Sequence, residues 1–136
     1  MNPLEAIVVV KACIMDQNRI LIVHRTGTYP KWECPGGKVD MNETLTQALK
    51  REVFEETGLK IEVDELMYAT VMNVADKGKS YLILNYAARA ESTTVVLSDE
   101  HDRAAWVSEE EFHEKIPEDI LTAFRDHRVF ERLLNR

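Results

Sequence analysis

The chain carries no stripe of lysine and arginine. Its 136 residues hold 17 Lys and Arg against 24 Asp and Glu, a net charge of −7. Duplex nucleic acid needs clustered cations to release its counterions, so it is not the expected partner. A small phosphate ester is compatible with the charge, provided metals and a few placed basic residues offset the field. Cysteine is also scarce. Cys13 and Cys34 make no CxxC pair and are too few for a disulfide framework. The expectation is two reduced, buried thiols in a cytoplasmic protein. No apolar run is long enough to span a bilayer. The stretch MNPLEAIVVVKACIM is interrupted by Glu5 and Lys11 and lacks a basic leader, so neither a membrane anchor nor an export signal is expected. Internal repeats, low-complexity tracts and linkers are absent as well. The length fits one domain, residues 1–136.

Glycine and proline are few, and they gather in one place. Three of the five glycines and two of the four prolines fall in RTGTYPKWECPGGKVDMNE. A loop of that length in a compact domain is functional or disordered. Tyr29 and Trp32 within it argue for order. Before it, residues 6–15 are β-branched and read as a buried strand. Asp16-Gln17-Asn18 is a turn signal, and Arg19–His24 is a second strand, forming an antiparallel hairpin with the first.

After the loop, Thr44 and Gln47 fit a capping box. Leu45, Ala48, Leu49 and Val53 recur at helical spacing, and Gly58 suits a left-handed stop. The helix is therefore expected over Leu45–Thr57. Residues 59–63 read as a short strand. Residues 66–74 and 80–90 read as longer ones joined by a hairpin loop. A short apolar piece at 104–107 precedes Ser108, which can cap a helix over Glu109–Lys115. Ile120, Ala123, Phe124, His127, Phe130 and Leu134 predict one amphipathic helix over Glu118–Leu134.

The sequence REVFEETG, residues 51–58, crowds acids onto the first helix. Glu52, Glu55 and Glu56 stand on one side at spacings of three and four. Like charges so placed cost an isolated helix about 0.2–0.5 kcal/mol per pair. Either they form a solvated face or they hold a cation. Oxygen-rich groups on a rigid element suit Mg2+ or Mn2+ rather than structural zinc. Pro35-Gly36-Gly37 leads into this helix with a backbone that can turn tightly against a ligand. Arg51 can pair with Glu43 or another carboxylate and fix its geometry.

The segment GKVDMNETLTQALKREVFEETGL, Gly37 to Leu59, resembles the Nudix box. Gly37, Glu43, Arg51, Glu52, Val53, Glu55, Glu56, Gly58 and Leu59 match each of its constrained positions. Trp32 to Gly37 resembles the usual approach to the box. Glu100-His101 followed by Trp106-Val107 resembles a frequent later segment. The resemblance implies an α+β fold, an α/β/α sandwich with a mixed β-sheet. It implies a hydrolase of nucleoside diphosphates linked to another moiety, with Mg2+ (or Mn2+) as cofactor. Glu52, Glu55 and Glu56 are then the metal ligands, with Gly37 in the metal site. Glu52 or Glu100 is the general base, and Glu100 is alternatively a further metal ligand or an ordinary loop acid. Arg51 completes the catalytic set. His101 is either a proton-transfer group or an exposed loop residue.

The substrate class follows by elimination within that resemblance. ADP-ribose hydrolases tend to carry a Pro about fifteen residues past the box, and this chain has none between Pro35 and Pro117. Val74-Ala75-Asp76 stands where dinucleoside polyphosphate hydrolases tend to have a Tyr. The coenzyme A hydrolase motif is absent. What remains is the MutT-like group, which cuts (deoxy)nucleoside triphosphates to monophosphate and pyrophosphate. ADP-ribose or dinucleoside polyphosphate hydrolysis is the alternative, and a non-catalytic nucleotide-binding module is another. Arg25 and Lys38 are candidates to meet phosphates. Tyr81, Asn85 and Trp106 are candidates to hold a base. Homodimers are common in the family, and the terminal helix could pack on its own sheet or a partner's.

Overall fold

A computed structural model describes residues 2–136. Its strands are β1 (Ile7–Asp16), β2 (Arg19–Arg25), β3 (Lys31–Glu33), β4 (Gly36–Lys38), β5 (Ile61–Val74), β6 (Lys79–Ala90) and β7 (His101–Val107). Its helices are α1 (Leu45–Thr57), α2 (Glu109–Lys115), α3 (Glu118–Asp126) and α4 (Val129–Leu134). The sheet is mixed, in the order β3-β2-β1-β6-β5, with β4 pairing β1 and β7 pairing β2. β1 runs parallel to β6 from Ile7↔Tyr81 to Ile14↔Ala88. All other strand pairs are antiparallel. Among the described residues no helix is long and apolar enough to cross a membrane.

The period-two alternation of β1 and β2 sorts their side chains into two cores. Val10, Ala12, Ile14 and Leu21 pack with Ala48, Leu49 and Val53 of α1. Cys13, Ile20 and Ile22 pack on the other face with Phe112, Phe124 and Phe130 of the C-terminal helices. Fully burying side chains such as Leu49 and Val53 contributes about 1.5–3 kcal/mol each. Helices thus cover both faces of the sheet, which is the sandwich the box implies.

Local chemistry sets α1 in place. Thr44 accepts from the Gln47 amide at 3.1 Å, and the Gln47 side chain accepts from the Thr44 amide at 2.9 Å. Gly58 takes φ 73° at the other end. Both ends lie where the sequence puts them.

Several expectations need correction. The β1–β2 hairpin pairs only at Met15↔Ile20 and Asp16↔Arg19. Gln17 and Asn18 both have positive φ, as a two-residue primed turn requires. The strands then part, and β4 takes the vacated edge of β1. The long loop therefore contains two short strands. The expected pieces at 59–63 and 66–74 are one strand, β5, whose register shifts between Val63 and Leu66. β7 begins at His101 rather than 104. Leu45 is exposed and lies outside the core stripe. The terminal helix is two: Arg128 adopts φ 53° and separates α3 from α4. Phe124 and Phe130, 5.7 Å apart between ring centroids, fold back on Phe112 across that break.

Candidate active site

Helix α1 lies against β4, and their contact brings the acids to the Gly-Gly loop. Glu56 is buried, and the Gly36 amide donates to its Oε1 at 3.2 Å. Gly37 abuts the Glu52 carboxylate so closely that a Cβ at 37 would collide with it. Gly36 has φ 148°, and a Cβ there would strike the Val10 carbonyl of β1. Gly36 is therefore required by the backbone beside it, while a side chain at 37 would displace the Glu52 carboxylate.

Arg51 organises the rim. Its Nε and Nη2 donate to Glu43 at 2.7 and 2.9 Å, and Nη2 also reaches the Lys38 carbonyl at 3.1 Å. Its Nη1 donates to Glu52 at 2.9 Å and to Glu55 at 3.3 Å. The Arg51 guanidinium and then the Asp40 amide hold the Glu43 carboxyl down at about 2. Arg51 itself is raised by the same Glu43 bond.

The acids line one cleft. Glu52, Glu55, Glu56, Ser98, Asp99 and Glu100 surround a volume of about 330 Å³. A neighbouring recess of about 370 Å³ is lined by Arg25, Thr26, Asp99 and Glu100. Glu100, Asp99 and the box glutamates thus meet although some forty residues separate them in sequence. Burial pushes the Glu56 carboxyl up to about 7, against the pull of Lys11, the Gly36 amide and His101, while Glu52 adds to the rise.

The donor set fits a hard divalent cation. Every side chain offered is a carboxylate or hydroxyl oxygen, as Mg2+ and Mn2+ prefer. Glu56 is a buried carboxyl with a single hydrogen bond, and the buried Ser98 Oγ beside it has no partner. Among the described residues, no three His, Cys, Asp or Glu side chains are already gathered as a ligand cage. Arg51 accounts for that, because it draws Glu52 and Glu55 to itself.

Three residues emerge that the sequence left unremarked or misplaced. Glu33, buried at the end of β3, accepts from Lys11, Arg25 and His101. Burial alone would raise its carboxyl, but those partners together hold it far below the usual carboxylate range. His101 is not an exposed loop residue. Its Nε2 lies 3.2 Å from Glu33 and 4.0 Å from Glu56, and its buried Nδ1 has no partner. Lys11 looked like an interruption of an apolar run; its stem lies in the sheet while its ammonium reaches Glu33. Each is an ionisable side chain on a strand, and no spacing in the sequence pairs the three.

The other candidates scatter. Lys38 is exposed on β4. Asn85 is buried, accepting from the Cys13 thiol at 2.9 Å and donating to the Tyr68 hydroxyl at 3.3 Å. Tyr81 lies four residues away on the same face of β6. Trp106 packs on the opposite face, with the α1 core, and its indole N–H donates to the Thr93 carbonyl. These three do not form one pocket. Cys13 and Cys34 are free buried thiols. Burial, and then Cys34, push Cys13 well above the usual thiol range.

The chain is similar to known proteins in sequence and in fold. A family model described as the NUDIX domain matches residues 5–130. The chain is 30% identical over 118 residues to a MutT-like protein of Streptomyces ambofaciens, covering 85% of this chain and 72% of that one. A segment of 56 residues is 50% identical to an 8-oxo-dGTP diphosphatase of Buchnera aphidicola, covering 39% of this chain and 43% of that one. The solved MutT protein of Methanosarcina mazei superposes with a TM-score of 0.80 at 26% identity, over the full length of both chains. On the family model over residues 5–130 and the likeness in sequence and fold, the chain belongs to the Nudix hydrolase family and is MutT-like.

Proposed function

We propose that the chain is a Mg2+-dependent pyrophosphohydrolase of (deoxy)nucleoside triphosphates, releasing monophosphate and pyrophosphate. The observation that carries this reading is the cleft itself: box glutamates and Glu100 face one another beside the half-exposed Arg25. Carboxylates for a cation and a guanidinium for an anion are what a metal-bound polyphosphate needs. The likeness to a protein named 8-oxo-dGTP diphosphatase supports an oxidised purine triphosphate as the preferred substrate.

In this reading Glu52, Glu55 and Glu56 hold the cation, with Gly37 leaving room for it beside Glu52. A bound divalent ion would neutralise the diphosphate, polarise phosphorus and lower the pKa of water. Glu100 acts as the general base, since it borders both recesses while Glu52 is engaged by Arg51. Arg51 keeps Glu52 and Glu55 oriented and does not touch substrate. Arg25 meets the phosphate oxygens, while Lys38 lines neither recess. Tyr81, Asn85 and Trp106 take no direct part.

Product analysis over a nucleotide panel with Mg2+ tests the reading. The panel holds canonical and oxidised triphosphates, ADP-ribose and a dinucleoside tetraphosphate. Monophosphate plus pyrophosphate from a triphosphate supports it. Preferential cleavage of ADP-ribose replaces the substrate while keeping the site. Tight binding with no cleavage of any member removes the catalytic reading.

A further inference from the structure

We propose that Glu33 is a positioning residue for this reaction: from its buried seat it aims the Arg25 guanidinium at the cleft. The inference rests on the nucleotide reading of the cleft given above.

Both Glu33 oxygens are fully engaged. Oε1 accepts from Lys11 Nζ at 2.9 Å and Arg25 Nη2 at 3.3 Å. Oε2 accepts from Arg25 Nε at 3.0 Å and faces His101 Nε2 at 3.2 Å. A carboxylate offers about four lone-pair positions, and four donors fill them. Glu33 therefore has nothing left for a metal, although it lies within one side chain of Glu56. Its chemistry is with cations of the protein.

The three partners come from β1, β2 and β7. Lys11 and Arg25 both turn basic side chains to one carboxylate next to an acidic cleft. Only Arg25 reaches out: its side chain is 50% exposed, against 15% for Lys11 and 3% for His101. Arg25 spends two of its five N–H donors on Glu33, and the two-point pairing fixes the plane of the fork. It borders the recess with Asp99 and Glu100. Without Glu33, Arg25 would be free to fold onto those acids, and an anion would lose its donor.

Lys11 stays inside the cluster. Its ammonium is held by Glu33 and by the Cys34 carbonyl at 3.1 Å.

The test uses Glu33→Gln, Arg25→Ala, Arg25→Lys and the Glu33→Gln/Arg25→Ala double variant. The readout is the Kd of a non-hydrolysable α,β-methylene nucleoside triphosphate with Mg2+, alongside kcat and KM. Arg25→Ala is expected to weaken binding by about tenfold or more, the scale of a charged hydrogen-bond pair. Glu33→Gln should come within about threefold of that loss, and the double variant should be no weaker than Arg25→Ala alone. Native binding by Glu33→Gln, or losses that multiply in the double variant, would overturn the proposal. If Glu33→Gln does not fold, Arg25→Lys decides. Lysine keeps the charge without the two-point grip, so it should bind nearly as weakly as Arg25→Ala, and wild-type affinity would overturn the proposal. A wild type that cleaves triphosphates while these variants bind normally would remove the positioning role and leave the function standing. A wild type that neither binds nor cleaves any nucleotide would remove both.

Discussion

The Gly36 amide donates to Glu56 Oε1 at 3.2 Å, twenty residues apart in sequence. That bond joins the glycine loop to the acidic helix at the most buried of the three box carboxylates.

It leads to a pH prediction for the metal-free protein. Glu56 is raised from an ordinary 4.5 to about 7, chiefly by burial. The folded state therefore holds a proton that the unfolded state releases between those values. Its stabilising contribution is complete below about pH 4.5 and fades as pH rises through about 7. At about 1.4 kcal/mol per unit the window is worth on the order of 3 kcal/mol. Urea unfolding from pH 5 to pH 8 should show stability falling across this range, and Glu56→Gln should flatten the fall. An equally steep fall in the variant would remove the assignment.

Gly37→Ala should separate folding from metal binding. A new Cβ would collide with the Glu52 carboxylate, which can swing away, so the fold should persist. Affinity for Mn2+, read by electron paramagnetic resonance, should fall by at least about tenfold, in keeping with a displaced ligand. Unchanged Mn2+ affinity would contradict the close packing of Gly37 on Glu52.

Thr44→Ala should test the helix cap alone. It removes the side-chain half of the capping box and should cost about 1 kcal/mol, within a range of roughly 0.5–2. Chemical denaturation measures this directly. A loss near zero would mean that packing of Leu49 and Val53, not the cap, fixes where α1 begins.

Helix α1 was legible to the residue because its signals are local: Thr44 and Gln47 at one end, Gly58 at the other. The acid spacing was legible for the same reason. β3 and β4 were not, because each is only three residues long and exists through pairing, β3 with β2 and β4 with β1. Asp64 and Glu65 looked like the end of a strand, whereas a bulge carries β5 through them. The break at Arg128 has neither glycine nor proline to announce it, and helical spacing runs on across it. Glu33, Lys11 and His101 each looked ordinary alone. Their role exists only where three strands meet, and sequence spacing does not encode that meeting.

Glu52→Gln tests the central claim most directly. The substitution keeps the shape and one acceptor oxygen for Arg51 and removes one charge from the cleft. Mg2+-dependent turnover of a nucleoside triphosphate should fall by about a hundredfold or more, with circular dichroism and melting essentially unchanged. Turnover equal to the wild type in a folded Glu52→Gln protein would contradict the assignment of the acidic helix as the metal-holding, catalytic element.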